Sequence, residues 1–164
     1  MRFVARHTFD CSPDAWWRMY WDDAFDEVLY ETTGVRRELV ASRDEGGVIV
    51  RRLRFVPDRD LPAPAASLLG TKRLTYEQEN RFDPARAELT WKVLPTVLPG
   101  RLSAQGRFRI EDVPGGCEQV IEGEIVVSVP LVGGQIEKAV VAEVERSYAR
   151  TAVAARQWIA DHNP

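Results

Sequence analysis

Cysteine and histidine are scarce in this sequence, and their scarcity excludes several kinds of site. The 164 residues include two cysteines, Cys11 and Cys117, and two histidines, His7 and His162. Two cysteines provide neither a disulfide framework nor a zinc cluster. Two histidines at opposite ends leave little basis for a multi-histidine metal site, and a Ser–His–Asp arrangement would depend on His7 alone. The phosphate-binding patterns GxxxxGK(S/T) and GxGxxG are also absent, so we expect neither a metal nor a cofactor.

Long hydrophobic runs and an excess of positive charge are missing too. The longest apolar stretch, residues 125–132, is broken by Ser128 and Pro130 and is far shorter than the ~20 residues that span a bilayer. Residues 1–7 lack the apolar segment of a secretory signal, so we expect a cytoplasmic location. The 22 Lys and Arg are outnumbered by 25 Asp and Glu, whereas nucleic-acid binders are strongly basic. We therefore expect no nucleic-acid partner.

The chain begins with a predicted strand and two short helices. Residues 2–10 alternate, with Phe3, Ala5, His7 and Phe9 on one face, which is typical of a strand. Ser12-Pro13-Asp14 then predicts the start of a helix that runs to about residue 21. Asp22-Asp23 predicts a second helix to about residue 32, and Gly34 lies just past its end.

Three hairpins are predicted next, from registers that match apolar groups on one face and opposite charges on the other. The first sets Leu39 opposite Leu53 and Glu38 opposite Arg54. The second turns at residues 83–85 and sets Tyr76 opposite Val93, Glu77 opposite Lys92 and Arg81 opposite Glu88. The third sets Phe108 opposite Ile121, Gly106 opposite Gly123 and Arg107 opposite Glu122. Together they predict an antiparallel meander with one apolar and one charged face. The basic run at residues 51–54 is therefore interpreted as part of an ion-paired outer face rather than an RNA site, with Arg51 itself alternating onto the inner face.

A long C-terminal helix is predicted over residues 135–161. Its apolar residues recur at helical spacing: Ile136, Val140, Val141, Val144, Tyr148, Ala152, Ala155 and Ile159. The fold class is therefore α+β, with a curved seven-stranded antiparallel sheet wrapped around this helix, in a single domain of residues 1–164. One helix about 10 Å wide cannot fill the trough of such a sheet, so we expect either large side chains or a cavity there.

This order of elements resembles the START-like superfamily, or helix-grip fold, which includes polyketide cyclases and the birch pollen allergen. Residues 12–17 (SPDAWW) look like the usual entry to its first helix. Residues 129–137 (VPLVGGQIE) are similar to a subfamily of uncharacterised bacterial proteins. The resemblance implies a hydrophobic cavity between sheet and helix, used for lipids, sterols or polycyclic molecules. It also implies that Cys11 and Cys117 are neighbours, either as two reduced thiols or as a redox pair.

The candidate binding residues are the polar and large side chains on the predicted inner face. Buried polar groups must find partners, and His7, Arg51, Gln78 and Asn80 either bond one another and water or bind the polar part of a ligand. Gly106 and Gly123 mark either a bend of the sheet or floor space for a flat ligand. The full set of candidate ligand-binding residues is His7, Arg51, Phe55, Tyr76, Gln78, Trp91, Phe108, Gly123, Val144 and Tyr148.

Non-catalytic binding or transport of a hydrophobic small molecule or lipid is the function that these features favour. Loops at residues 57–70 and 94–100 would control entry. The alternatives are a cyclase or dehydratase that uses His7 or Arg51, and a protein-interaction module. Six aromatic residues within residues 16–30 are expected to be partly core and partly the mouth of the cavity, with at most transient membrane contact because acidic residues lie beside them. Those acids are interpreted as helix-start residues rather than metal ligands.

Overall fold

The computed structural model describes residues 1–162 and confirms the predicted order of strands and helices. One seven-stranded antiparallel sheet has the order β1-β7-β6-β5-β4-β3-β2, and a 30-residue C-terminal helix packs on it. The elements are β1 (Arg2–Phe9), α1 (Pro13–Tyr20), α2 (Asp23–Thr33), β2 (Val35–Glu45), β3 (Val48–Pro57), α3 (Ala63–Leu69), β4 (Tyr76–Asp83), β5 (Glu88–Leu94), β6 (Leu102–Val113), β7 (Gly116–Val127) and α4 (Gly133–His162).

The two short helices begin and end at the residues that the sequence indicated. The Ser12 hydroxyl accepts a hydrogen bond from the amide of Ala15, and Pro13 occupies the first turn of α1. Asp22 caps α2 through the amide of Ala24. Gly34 ends α2 with a φ of 69°, a left-handed conformation that glycine adopts without steric cost. These caps turn the chain so that α1 and α2 lie at the inner face of the sheet.

Two of the three predicted hairpin registers are confirmed. Leu39 pairs with Leu53 in the first, and Phe108 pairs with Ile121 in the third. The register of the second is wrong by two residues, because Gln78, and not Tyr76, lies opposite Val93. Residues 84–87 form the connection, and Ala87 takes a φ of 48°. A shift of two residues keeps every side chain on its predicted face.

The edge strand β2 departs from the predicted core. Its register shifts between Leu39 and Ala41, so Val40 forms a bulge. Leu39 was expected on the buried inner face, but its side chain is 57% exposed. The physical reason is its position, since β2 is the last strand of the sheet and α4 packs over β1 and β7 at the other edge.

The outer face of the sheet is covered by ion pairs, as the charge pattern predicted. Arg52 and Arg54 both contact Glu77, and Arg107 binds Glu122 at 2.8 Å. Val50 and Val120 face the same side and are 1% and 0% exposed. Their cross-strand neighbours are arginines, whose aliphatic stems can cover apolar surface while the charged ends stay in water.

Candidate ligand-binding site

Helix α1 fills part of the trough with aromatic rings. Trp17 stacks on Phe108 at 5.7 Å between ring centroids and lies 4.6 Å from Phe82, while Trp16 meets Phe108 edge to face at 5.9 Å. Trp16, Trp17 and Phe108 are each more than 90% buried. Phe108 therefore belongs to a closed aromatic core, and it offers little surface to a ligand.

Two glycines in the middle of the sheet make room for protein side chains. A Cβ atom at Gly123 would lie 2.5 Å from the Phe3 ring and 3.1 Å from Trp91. A Cβ atom at Gly106 would lie 2.6 Å from the Trp91 ring and 2.3 Å from the carbonyl oxygen of Glu122. Phe3 and Trp91 are 6% exposed. The rings of Phe3 and Trp91 thus occupy the floor space that a flat ligand was expected to use, and Trp91 and Gly123 lie in the packed part of the trough.

The rest of the inner face is less completely filled. Val144 and Tyr148 on α4, and Phe55, Tyr76 and Gln78 on β3 and β4, are all half-buried. Phe55 and Tyr76 stack with ring centroids 5.0 Å apart. The described structure therefore has a closed half, beneath α1 and the C-terminal half of α4, and a looser half that includes five of the candidate residues.

Three tyrosines with desolvated hydroxyl groups lie at this looser half. Burial raises the pKa of Tyr76 to about 12 and raises the pKa of Tyr20 and Tyr148 as well. The pKa of Tyr148 is raised further by Tyr20 and Tyr76, so the three phenol groups lie near one another. All three side chains nevertheless keep accessible surface. The surrounding protein therefore shields the three hydroxyl groups from water, although the side chains keep some accessible surface.

The two loops that were expected to control entry lie side by side. The Thr96 hydroxyl donates a hydrogen bond to the carbonyl oxygen of Thr75 at 3.0 Å. Between the segments lies an open depression of about 570 Å³, whose walls include Leu69 and Leu98. Leu68 on α3 is 52% exposed. This end of the molecule is therefore an open depression beside the start of β4, where Tyr76 lies, and its lining is partly apolar and partly polar.

Arg51 lies on the inner face, as predicted. It pairs with Asn80 on β4, and its guanidinium carbon lies 4.5 Å above the ring of Trp21. Gln78 donates a hydrogen bond to the Asn80 side-chain oxygen at 2.7 Å. Arg51, Gln78 and Asn80 thus form one polar group. Tyr20 and Trp21 lie beside this polar group. The sequence did not identify them as site residues, because their helical spacing favoured a core position.

His7 lies apart from this polar group. It is half-buried, its Nε2 atom has no hydrogen-bond partner among the described residues, and it faces Gln119 across β1 and β7. Burial lowers its pKa, and Arg156 lowers it further, so the imidazole is neutral at pH 7. His7 is on β1 and Arg51 is on β3. Five strand spacings separate these two strands, which is about 24 Å along the sheet. Gln119 is the polar neighbour of His7 and is only 3% exposed. It was not identified from the sequence, although it lies on the same face of β7 as Ile121.

The two cysteines are neighbours, and two of the acidic residues of α2 form ion pairs with arginines of β2. The Cys11 and Cys117 sulfur atoms lie 4.0 Å apart as free, buried thiols. Asp26 binds Arg37, and Glu27 lies 3.7 Å from Arg36. Within residues 1–162 no three His, Cys, Asp or Glu side chains are grouped as metal ligands. None of the helices described is both long and apolar enough to cross a membrane.

A family model described as "Protein of unknown function (DUF2505)" matches residues 5–159. The chain belongs to this family. No curated protein is significantly similar to this DUF2505 chain in sequence. Its fold, in contrast, has many solved counterparts.

Three of the solved structures illustrate the fold of this DUF2505 chain. TTHA0849 from Thermus thermophilus is 15% identical with a TM-score of 0.70, and the match covers 100% of both chains. The Zhui aromatase/cyclase from Streptomyces sp. R1128 is 14% identical with a TM-score of 0.67, over 100% of this chain and 96% of that one. A START superfamily protein from Mycobacterium smegmatis is 12% identical with a TM-score of 0.64, over 96% and 98%. The chain therefore has the helix-grip fold of these proteins.

Proposed function

We propose that this protein binds a hydrophobic small molecule or lipid, without catalysis, in the looser half of the trough. The observation that carries the proposal is the looser half itself, where Phe55, Tyr76, Gln78, Val144 and Tyr148 stay only half-buried. The hydroxyl groups of Tyr20, Tyr76 and Tyr148 are desolvated there. Phe55 and Val144 supply apolar walls, and the transfer of apolar ligand surface out of water supplies the binding energy, at roughly 25 cal/mol per Å².

The fold and the loops support this proposal. Among the proteins with the same fold is a START superfamily protein, and the open depression between the two loops adjoins the start of β4. We infer that ligand enters there, beside Leu69 and Leu98, and that the protein works in the cytoplasm, where its two free thiols remain reduced.

A cyclase or dehydratase is less well supported. One protein of the same fold is an aromatase/cyclase. However, Nε2 of His7, the candidate acid–base group, has no hydrogen-bond partner within residues 1–162, and five strand spacings separate the strand of His7 from that of Arg51. His7 and Arg51 therefore do not form one acid–base site.

Native mass spectrometry of freshly purified full-length protein tests the proposal. We expect a bound species of lipid-like mass that is lost on denaturation. Protein that is stripped of this species and refolded is then expected to bind a fluorescent hydrophobic probe, such as an anilinonaphthalene or a pyrene derivative. Absence of both an adduct and probe binding in a folded sample would contradict the proposal.

A pair of valines on α4 provides matched variants. Val144 is half-buried one helical turn from Tyr148, whereas Val153 is 57% exposed. Val144→Trp places a large ring in the inner space and is expected to weaken probe binding by about tenfold or more, which is 1.4 kcal/mol. Val153→Trp is expected to leave binding unchanged. Equal effects of the two variants would show that the probe binds elsewhere.

A further inference from the structure

Arg51 differs from the other half-buried arginines in having no acidic partner. Five arginines are half-buried: Arg37, Arg51, Arg81, Arg109 and Arg150. Within residues 1–162, all of these except Arg51 have a carboxylate oxygen within 4.0 Å. The Nε atom of Arg51 is buried and has no hydrogen-bond acceptor in the part of the chain that the structure describes. A buried, charged donor without an acceptor is unfavourable unless something else binds it.

The orientation of Arg51 leaves its donor edge available. The guanidinium lies over the face of the Trp21 ring, 4.5 Å from its centroid. The N–H groups of a guanidinium lie in its plane, so a ring that stacks on its face leaves them free. Two of these N–H groups along one edge match the two oxygens of a carboxylate. Trp21 therefore holds Arg51 without using its hydrogen-bonding capacity.

The space beside Arg51 is small and has a defined charge. A recess of about 70 Å³ is lined by Arg51, Trp21, Tyr20, Asn80 and Leu53, together with Arg37, Asp23, Asp26 and Leu39. This volume exceeds the roughly 10–15 Å³ that a single water molecule requires, so the recess can admit a carboxylate group. Arg37 and Asp26 neutralise each other as an ion pair. The remaining acid, Asp23, is exposed.

This balance favours a planar monoanion. One unpaired positive charge, on Arg51, faces the recess, while the two carboxylates that also line it would repel a group with two negative charges, such as a phosphate monoester. Tyr20 lines the recess and also raises the pKa of Tyr148 on α4, which places the recess beside the proposed ligand space.

We propose that Arg51 binds the carboxylate end of an amphipathic ligand, whose apolar part lies between the sheet and the N-terminal half of α4. This inference rests on the proposed function and adds the chemical class of the ligand. It predicts discrimination between an acid and the alcohol of the same carbon skeleton, which a purely apolar site would not provide.

Two matched pairs of probes test the inference: pyrenebutyrate with pyrenebutanol, and dodecanoate with dodecanol. Binding is measured for the wild type, Arg51→Met, Arg51→Lys and the control Arg54→Met, which lies on the outer face of the same strand. Circular dichroism and thermal unfolding establish that each variant is folded. The pyrene pair represents polycyclic ligands and the dodecyl pair represents fatty acids, so the arms also distinguish the two sources of a carboxylate.

We expect the wild type to bind at least one acid about tenfold or more tightly than its alcohol, as a charge-assisted pair provides. Arg51→Met should abolish that preference while leaving alcohol binding within about threefold of the wild type. Arg51→Lys should retain part of the preference, and Arg54→Met all of it. Equal binding of acid and alcohol by the wild type, or a preference that survives Arg51→Met, overturns the role of Arg51 and leaves the proposed function standing. Failure of folded wild type to bind any of the four probes overturns both.

Discussion

Gly123→Ala tests whether Phe3 and Trp91 fill the floor of the trough. The new Cβ atom would lie 2.5 Å from two carbon atoms of the Phe3 ring and 3.1 Å from Trp91. The 2.5 Å distance is shorter than a Cβ atom tolerates, and the 3.1 Å distance requires Trp91 to shift by a few tenths of an ångström. Both rings are buried, so neither can move aside without disturbing its own neighbours.

The expected cost follows from two opposing effects. Overpacking a well-filled core costs about 1–3 kcal/mol. Replacing glycine by alanine in a strand recovers about 0.5–1 kcal/mol of backbone entropy. The net expectation is a loss of about 0.5–2 kcal/mol in the free energy of unfolding, or a few degrees in Tm for a chain of this size.

Urea denaturation followed by circular dichroism measures this loss, with Gly134→Ala on α4 as the control. A Cβ atom at Gly134 meets no atom within 4 Å, so this substitution is expected to be neutral or stabilising. Phe3→Leu removes the ring carbons that clash, and Gly123→Ala should cost less in that background than in the wild type. If Gly123→Ala is as harmless as Gly134→Ala, the rings do not occupy the floor and the reasoning about the closed half is refuted.

Two further predictions concern buried titratable groups. Burial, and the neighbouring Cys11 thiol, raise the pKa of Cys117 to about 12, so at pH 8 its thiolate is about three orders of magnitude scarcer than that of an ordinary cysteine. A thiol reagent should therefore label both cysteines rapidly in urea and very slowly in the native protein, and rapid native labelling would contradict their burial. His7 has a pKa below its usual value of 6.5 because of burial and, secondarily, Arg156. The unfolded chain therefore takes up this proton first as the pH falls below 6.5, and stability is lost in that range. Urea midpoints at pH 7.5 and 5.5 should fall more in the wild type than in His7→Gln, and equal falls would contradict this origin.

The hairpin registers illustrate what a sequence can predict and where it fails. The first and third registers follow from apolar and charge matching between consecutive strands. The second fails because β4 has two neighbours: Glu77 binds Arg52 and Arg54 of β3, and Arg81 binds Glu45 at the end of β2. Charges that the prediction assigned to the hairpin partner are thus satisfied on the other side of the strand.

The candidate site was predicted only in part, for a related reason. Alternation along a strand places Arg51 and Gln78 on the inner face, and helical spacing does the same for Val144 and Tyr148. The prediction of unfilled space compared the sheet with α4 alone. It did not include α1, whose tryptophans cover Phe108. Contacts between segments that are distant in sequence decide which part of the trough is filled. The residue spacing within a single segment does not reveal such contacts.

The bulge at Val40 bears on how this chain meets other chains. An edge strand offers free backbone N–H and C=O groups to which another extended segment can hydrogen-bond. In β2 the regular row is interrupted, leaving two stretches of five residues, 35–39 and 41–45. Charged side chains stand in both stretches, at Arg36, Glu38, Arg43 and Asp44. The bulge and the charges therefore hinder the addition of a strand from another chain to β2, at the edge of the sheet farthest from α4. They hinder in the same way the aggregation that such pairing starts.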